Sequence, residues 1–426
     1  MWAYPYGMHT GGIQQPPVVL RLAIRRLLDR SSPVSRPIHY TYSLYLLFRW
    51  PLSSDGHAPV APTGREDRQR ENRRTFRPGP ALKYDFWVMT PDLITPAQKA
   101  SRLLELHHGD YPLVLINAWD AASAAMVEHC GLPAVATSSA ALANALGFAD
   151  GQHLPWAQML EAVARICRAV KVPVTADIES GFAADAKALE TSIRQIIQAG
   201  AVGVNLEDVM PEGVEFRNSE FRNSTPQNAD PKNADLKKTD LTKTDLQKTD
   251  LKKTDLQKND SSIRHGSPLY PLAEQVARIQ TARRAGDAAG IHLVINARTD
   301  AYWQAGVAPA DALRNTLERG QAYLQAGADC VFVPGLRHPE HIQTVVERCQ
   351  HVHRDAAVNI LAGPGVPPIP ELAKLRVKRV SYGSGPHRAA MGLLRRMADE
   401  AKSSGTYEAL TEGAVPYEEI NGLFQK

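Results

Sequence analysis

Two short stretches carry the residue types that could do chemistry. In Val172-Pro-Val-Thr-Ala-Asp-Ile-Glu-Ser-Gly-Phe182, the apolar Val174, Ala176 and Ile178 alternate with Thr175, Asp177 and Glu179, the period of two expected of a strand. In Gly200-Ala-Val-Gly-Val-Asn-Leu-Glu-Asp208, Val202, Val204 and Leu206 alternate in the same way with Gly203, Asn205 and Glu207. Each reads as a buried parallel strand that ends in carboxylates. Desolvating a carboxylate at the end of an apolar strand is costly unless it meets a cation, so Asp177, Glu179 and Glu207 converging on one rim point to a divalent metal. The competing reading is that these acids cap the following helices or pair with arginines.

The elements that must position these acids repeat along the chain. Strands are expected at 113–117, 134–138, 172–178, 202–207, 292–298, 329–334, 356–361 and 379–383, with helical stretches between them such as 121–129, 156–169, 184–198, 272–288, 310–326 and 339–350. Thr95-Pro96 reads as N-cap and first residue of a helix ahead of the first strand. Strands alternating with helices of this length argue for a parallel sheet, and eight repeats argue for closure into an α/β barrel of the (β/α)8 TIM type. An open doubly wound sheet is the alternative, but Asn117-Ala-Trp-Asp120 stands where its glycine fingerprint would be. A closed barrel collects its chemistry at the C-terminal ends of the strands, where the acids fall.

The rest of the 426 residues bounds the reading. A formal charge of +4 gives no reason to expect a nucleic-acid partner. Cys130, Cys167, Cys330 and Cys349 are too scattered for a disulfide framework or a zinc site, and a reducing cytoplasm is the expected location. No apolar run approaches the roughly 20 residues of a membrane helix, so no membrane partner is expected. Residues 1–88 read as a disordered or non-core extension, with Met89 a possible alternative start. The barrel is assigned to 89–426, interrupted at 211–267 by a low-complexity insert. That insert opens on a doubled Glu-Phe-Arg-Asn-Ser and continues in pentads from Pro226 to Asp260. Leu236, Leu241, Leu246, Leu251 and Leu256 form no stripe on a helix and change face on a strand, so a solvated, disordered excursion is expected.

From about Thr95 onward the chain resembles the isocitrate lyase and phosphoenolpyruvate mutase superfamily. The matching pieces are Asn117-Ala-Trp-Asp-Ala-Ala-Ser-Ala124, Ala136-Thr-Ser-Ser-Ala140, Leu146-Gly-Phe-Ala-Asp150, Ala176-Asp-Ile-Glu-Ser-Gly-Phe182, Asn205-Leu-Glu-Asp208 and Ile295-Asn-Ala-Arg-Thr-Asp-Ala301. The resemblance implies a (β/α)8 barrel whose last helix is exchanged between subunits of a homodimer or homotetramer. It also implies Mg2+ and a small carboxylate or phosphonate substrate passing through an enolpyruvate-like intermediate. Carried over residue by residue, Asp177, Glu179 and Glu207 match the magnesium-site acids, directly or through water, and Asp150 a further acid near the substrate. Ser138, Ser139 and Ala140 match the turn that holds substrate oxygens through backbone amides. Arg298, with Asn296 on the same strand, matches the arginine that contacts the anionic substrate; an ion pair with a barrel carboxylate is its alternative.

The departures matter too. Lyases of the superfamily carry a lid of the form Lys-Lys-Cys-Gly-His or Lys-Arg-Cys-Gly-His after the Leu-Glu-Asp strand, whereas this chain has no cysteine between Cys167 and Cys330. The insert occupies the lid position, leaving Arg264-His265-Gly266 as a faint echo. The expectation is therefore a Mg2+-dependent lyase, mutase or hydrolase acting on a C–C or C–P bond. A barrel without turnover, serving as a binding or scaffold subunit, is the alternative. Trp119 and Asp120 open the first βα loop, where Asp120 either caps the next helix or serves the site, and His338 and His387 are expected to occupy surface or supporting positions.

Overall fold

The chain divides into two units, 1–81 and 82–426. In the computed structural model the described residues are 95–211 and 268–425. The expectations for the 1–88 extension, Met89, the body of the insert and Arg264-His265-Gly266 lie outside them.

Helix α1 (Pro96–His107) opens as its sequence demands: Oγ1 of Thr95 accepts the Gln98 amide at 3.2 Å while Oε1 of Gln98 accepts the Thr95 amide at 2.8 Å. Its buried face, Ala100, Leu103 and His107, follows the helical spacing and lies against the barrel. The strands are β1 (Leu113–Leu115), β2 (Asn117–Ala118), β3 (Val135–Thr137), β4 (Val174–Asp177), β5 (Gly203–Glu207), β6 (Val294–Arg298), β7 (Cys330–Phe332), β8 (Ala357–Leu361) and β9 (Arg379–Ser381). All pair in parallel, in the order β1-β9-β8-β7-β6-β5-β4-β3-β2. Since β1 and β2 are separated by Ile116 alone, they are two pieces of one strand, the first pairing with β9 and the second with β3. The eight expected strands are thus present in a nearly closed ring.

Around the ring run α2 (Ala121–His129), α3 (Ser139–Ala145), α4 (Trp156–Ala169), α5 (Ala186–Gln198), α6 (Leu272–Ala288), α7 (Pro309–Gln325), α8 (Pro339–Val352), α9 (Ile369–Lys374) and α10 (Gly385–Ser403). Two short helices, α11 (Glu408–Thr411) and α12 (Tyr417–Gly422), follow. Asp120 caps α2, its Oδ1 accepting the Ser123 amide at 2.7 Å. Strands and helices share a core of buried aliphatic side chains, Val174, Ala176, Val204, Leu206, Ile295 and Ile279 among them. A polar layer crosses the strands: Asn296 Nδ2 and Arg379 Nη2 both donate to Asn205 Oδ1, at 2.8 and 3.1 Å. Among the described residues no helix is long and apolar enough to cross a membrane.

Candidate active site

Because every strand runs the same way, their final residues meet at one rim. Asp177, Glu207 and Arg298 end β4, β5 and β6, and the β5–β6 register sets Glu207 directly beside Arg298. A pocket opens over this rim. Five carboxylates line it, Asp150, Asp177, Glu179, Glu207 and Asp300, together with two guanidinium groups, Arg298 and Arg388.

Asp177, Glu179, Glu207 and Asp300 are each held by a neighbour. Asp177 Oδ2 accepts both the amide (3.1 Å) and the hydroxyl (2.9 Å) of Ser139, while its Oδ1 is buried with no hydrogen-bond partner among the described residues. Glu179 sits at φ 51°, in the left-handed region, and its Oε1 accepts the Gln152 amide at 3.0 Å. Gln152, itself at φ 61°, ties this loop down further: its Nε2 donates to Ser180 Oγ at 2.6 Å and its Oε1 accepts the Phe182 amide at 3.0 Å. Non-glycine residues are costly in that region, and such strain clusters at functional sites. Gly181 sits at φ 93°, where an L side chain is strained, and a Cβ there would also lie 2.5 Å from Leu189 Cδ1. Glu207 Oε2 meets Arg298 Nη1 at 2.9 Å. Burial pushes the Glu207 carboxyl well above the usual carboxylate range; Arg298 opposes the shift, and Asp300, Glu179 and Asp177 add to it. Arg298 is held above its ordinary value because Asp300 and Glu207 outweigh the burial of its charge. Among the described residues no group of three or more His, Cys, Asp or Glu side chains is drawn together as a metal-binding set.

Ser138, Ser139, Ala140 and Asp150 all line the pocket, as do the three acids and Arg298. In the turn at 138–140, the Ser138 amide donates to Ala118 O at 3.3 Å and that of Ser139 to Asp177. Asn296 is absent from the lining; it is fully buried beneath the site, where it donates to Asn205, and Asn205 is the one that reaches the pocket. His387 is buried, packed edge-on against Trp119 with ring centroids 5.3 Å apart, a supporting position.

Sequence reasoning missed Asp300, Trp303, Arg388 and Asn117. Asp300 grips Arg298 twice, from Nε (2.6 Å) and from Nη2 (2.8 Å), and Trp303 lies over the guanidinium with its ring centroid 5.1 Å away. The period of two was a usable signal for Asp300, two residues beyond Arg298. Asn117 Oδ1 accepts the amides of Tyr382 and Gly383, both at 2.9 Å, and so fixes the loop after β9.

A family model described as phosphoenolpyruvate phosphomutase matches residues 103–242 and 254–402. An uncharacterised protein of Mycobacterium tuberculosis is 27% identical over 74% of this chain and 93% of its own length. A crystal structure of an inferred phosphonomutase from Burkholderia cenocepacia J2315 is 33% identical, covers 71% of this chain and 99% of its own, and superposes with a TM-score of 0.56. A phosphonopyruvate hydrolase solved with oxalate and Mg2+ shares the fold at 21% identity and a TM-score of 0.55, covering 76% of this chain and 94% of its own. With the motifs of the rim and a family match over most of the barrel, this chain belongs to the phosphoenolpyruvate phosphomutase family.

Proposed function

We propose that this protein is a Mg2+-dependent enzyme that makes or breaks a C–C or C–P bond in a small 2-oxo or 2-hydroxy carboxylate, by way of an enolpyruvate-like intermediate. The observation that carries the reading is the charge of the pocket: five carboxylates face two guanidinium groups. Such an excess of buried acid calls for a cation, and Asp177 Oδ1, without a partner among the described residues, is an oxygen left available to one. Asp177, Glu179 and Glu207 offer the hard oxygen donors that magnesium prefers. That ion keeps several waters and takes one or two carboxylates directly, so a tight three-acid set is not required. When bound, it would supply Lewis-acid stabilisation of a developing oxyanion.

The chain's own residues do the rest. Arg298, clamped at the rim, presents fixed positive charge to an anionic oxygen and needs no reorganisation as charge develops. Ser138, Ser139 and Ala140 bound the pocket at the start of α3, where the helix dipole favours an anionic group. Asp150, on the loop held by Gln152, is the acid we assign to the reacting end. Self-assembly belongs to the same reading, since Met391, Leu394, Tyr407, Leu410, Tyr417 and Phe424 on and after α10 expose apolar surface.

The test is a melting-temperature measurement with Mg2+, with oxalate and with both. A ligand of the native state must raise the transition, and oxalate mimics an enolate. No shift on folded protein would refute the reading. A screen of 2-oxo acids, 2-hydroxy acids and phosphonates with pyruvate detection would then identify the reaction.

A further inference from the structure

Arg298 is the centre of a self-contained device built by the six residues from Arg298 to Trp303. The chain leaves β6 at Arg298 and turns at once into a short 3-10 helix, Ala301–Trp303, whose Trp303 amide donates to Asp300 O at 2.8 Å. That turn brings the Trp303 ring over the guanidinium, while the Asp300 carboxylate takes Nε and Nη2 in its plane. Gly335 makes room for the ring, because a Cβ there would lie 2.8 Å from Trp303 Cδ1 and Nε1. Nη1 is left for Glu207 and the pocket.

Asp300 is itself held from behind. Its amide donates at 3.0 Å to Oδ1 of Asp208, a fully buried residue whose Oδ2 accepts Arg319 Nη1 at 3.1 Å and the Tyr323 hydroxyl at 2.7 Å. Arg319 and Tyr323 belong to α7, so the clamp on Arg298 is anchored in the helical layer, independently of the pocket.

We propose that Asp300 is the positioning residue of this site: it fixes the plane of the Arg298 guanidinium and thereby the direction from which an anionic oxygen of the ligand is met. This rests on the anion-binding role given to Arg298 above. A bidentate, planar contact carries orientation as well as attraction, which an amide in place of the carboxylate cannot reproduce, since it offers one acceptor where two are needed.

Two measurements on the full chain test it. In arginine side-chain nitrogen–proton spectra without ligand, the Arg298 Nε–H signal, identified by its loss in Arg298→Lys, should exchange slowly in the parent. It should exchange faster in Asp300→Asn and stay slow in Glu207→Gln. Protection that survives Asp300→Asn would overturn the proposal. Second, oxalate affinity in the presence of Mg2+ should fall roughly tenfold in Asp300→Asn, but by less than about twofold when the same change is made on Arg298→Lys, because the effect acts through the guanidinium. Equal losses on both backgrounds would show a merely structural role. If Asp300→Asn does not fold, Asp300→Glu replaces it in both measurements: the displaced carboxylate should weaken oxalate only while Arg298 is present. If the parent binds no oxalate, the functional reading fails, and the exchange measurement still decides the role of Asp300.

Discussion

Nη1 of Arg298 lies 2.9 Å from Oε2 of Glu207, so the residue expected to meet the substrate and a residue expected to hold the metal are partners in the same ion pair. The pairing follows from register: the two close adjacent parallel strands as direct neighbours, and neighbouring side chains in register rise on the same face. Arg298 is nevertheless not balanced by Glu207 alone. Asp300 holds two of its nitrogens, so the cation keeps a carboxylate if Glu207 loses its charge.

Glu207→Gln is therefore expected to fold. Breaking a buried ion pair costs most where it strands a charge, and here Arg298 is not stranded. The burial that pushes the Glu207 carboxyl upward also means that the neutral amide escapes a desolvation cost. We expect a melting temperature near that of the parent and Mg2+ affinity reduced at least roughly tenfold. Titration calorimetry with Mg2+ checks this, and an unchanged affinity would remove Glu207 from the metal assignment.

Arg298→Lys should behave differently. A single ammonium cannot serve two oxygens of Asp300 in one plane and also reach Glu207. Both the melting temperature and the oxalate affinity are expected to fall, the latter by about tenfold or more. Retained oxalate binding in the variant would contradict the role given to the guanidinium.

The barrel was legible in the sequence because its signal repeats. Val174, Ala176 and Ile178 against Thr175, Asp177 and Glu179 is a local pattern, and eight such units with helices between them leave few topologies. The rim acids were legible for the same reason, since strand ends share one rim. What escaped was fixed by contacts distant in sequence or by chain reversal. Asn117 reaches the loop at Tyr382 and Gly383 only because the ring nearly closes. Trp303 reaches Arg298 through a 3-10 turn that carries no strong signal in Ala301-Tyr302-Trp303. Asn296 shares the face of Arg298 but does not line the pocket, where its register partner Asn205 stands instead.

His107 supplies a pH test remote from the rim. Its Nδ1 donates to Leu103 O at 2.7 Å and its Nε2 faces Arg379 Nη1 at 3.4 Å, so the neutral ring is the form that fits. Burial, and then the Arg379 charge, lower its pKa from 6.5 to about 3. Below pH 6.5 the unfolded chain takes up a proton that the folded chain refuses, so stability is lost as pH falls from about 6.5 toward 3. At pH 4.5 this one group should cost on the order of 2 kcal/mol relative to neutral pH. Denaturant titrations at both pH values should show a smaller acid loss in His107→Gln, and equal losses would refute the assignment.

The exposed apolar side chains of the C-terminal helices give a test of assembly. Leu394 is 57% exposed and Tyr417 77% exposed, so both are free to be covered in an assembly. Sedimentation is expected to show a dimer or tetramer, with Leu394→Glu shifting it toward the monomer. A monomer at every concentration would refute the homo-oligomer reading.

The two ends of the insert are joined to each other. Val209 and Leu269 form an antiparallel bridge, the Met210 amide donates to Pro268 O at 2.9 Å, and the Tyr270 amide donates to Asp208 O at 2.7 Å. Arg319 Nη2, from α7, grips Tyr270 O at 3.1 Å. The chain therefore leaves the barrel after β5 and returns beside its point of departure, stapled to the same buried Asp208–Arg319 pair that backs Asp300. Among the described residues this closure is made by 208–210 and 268–270; within Pro226 to Asp260 the leucines recur every fifth residue and align on no single helical face. Halving a loop changes its closure entropy by only about 0.6 kcal/mol, so shortening one whose ends are already joined should be nearly neutral. Deleting Pro226 to Asp260 is expected to leave the melting temperature and any Mg2+-dependent turnover close to those of the parent, the latter within about twofold, because the stem that joins the two ends is kept. Loss of turnover on a folded barrel would mean instead that the pentads contribute to the site.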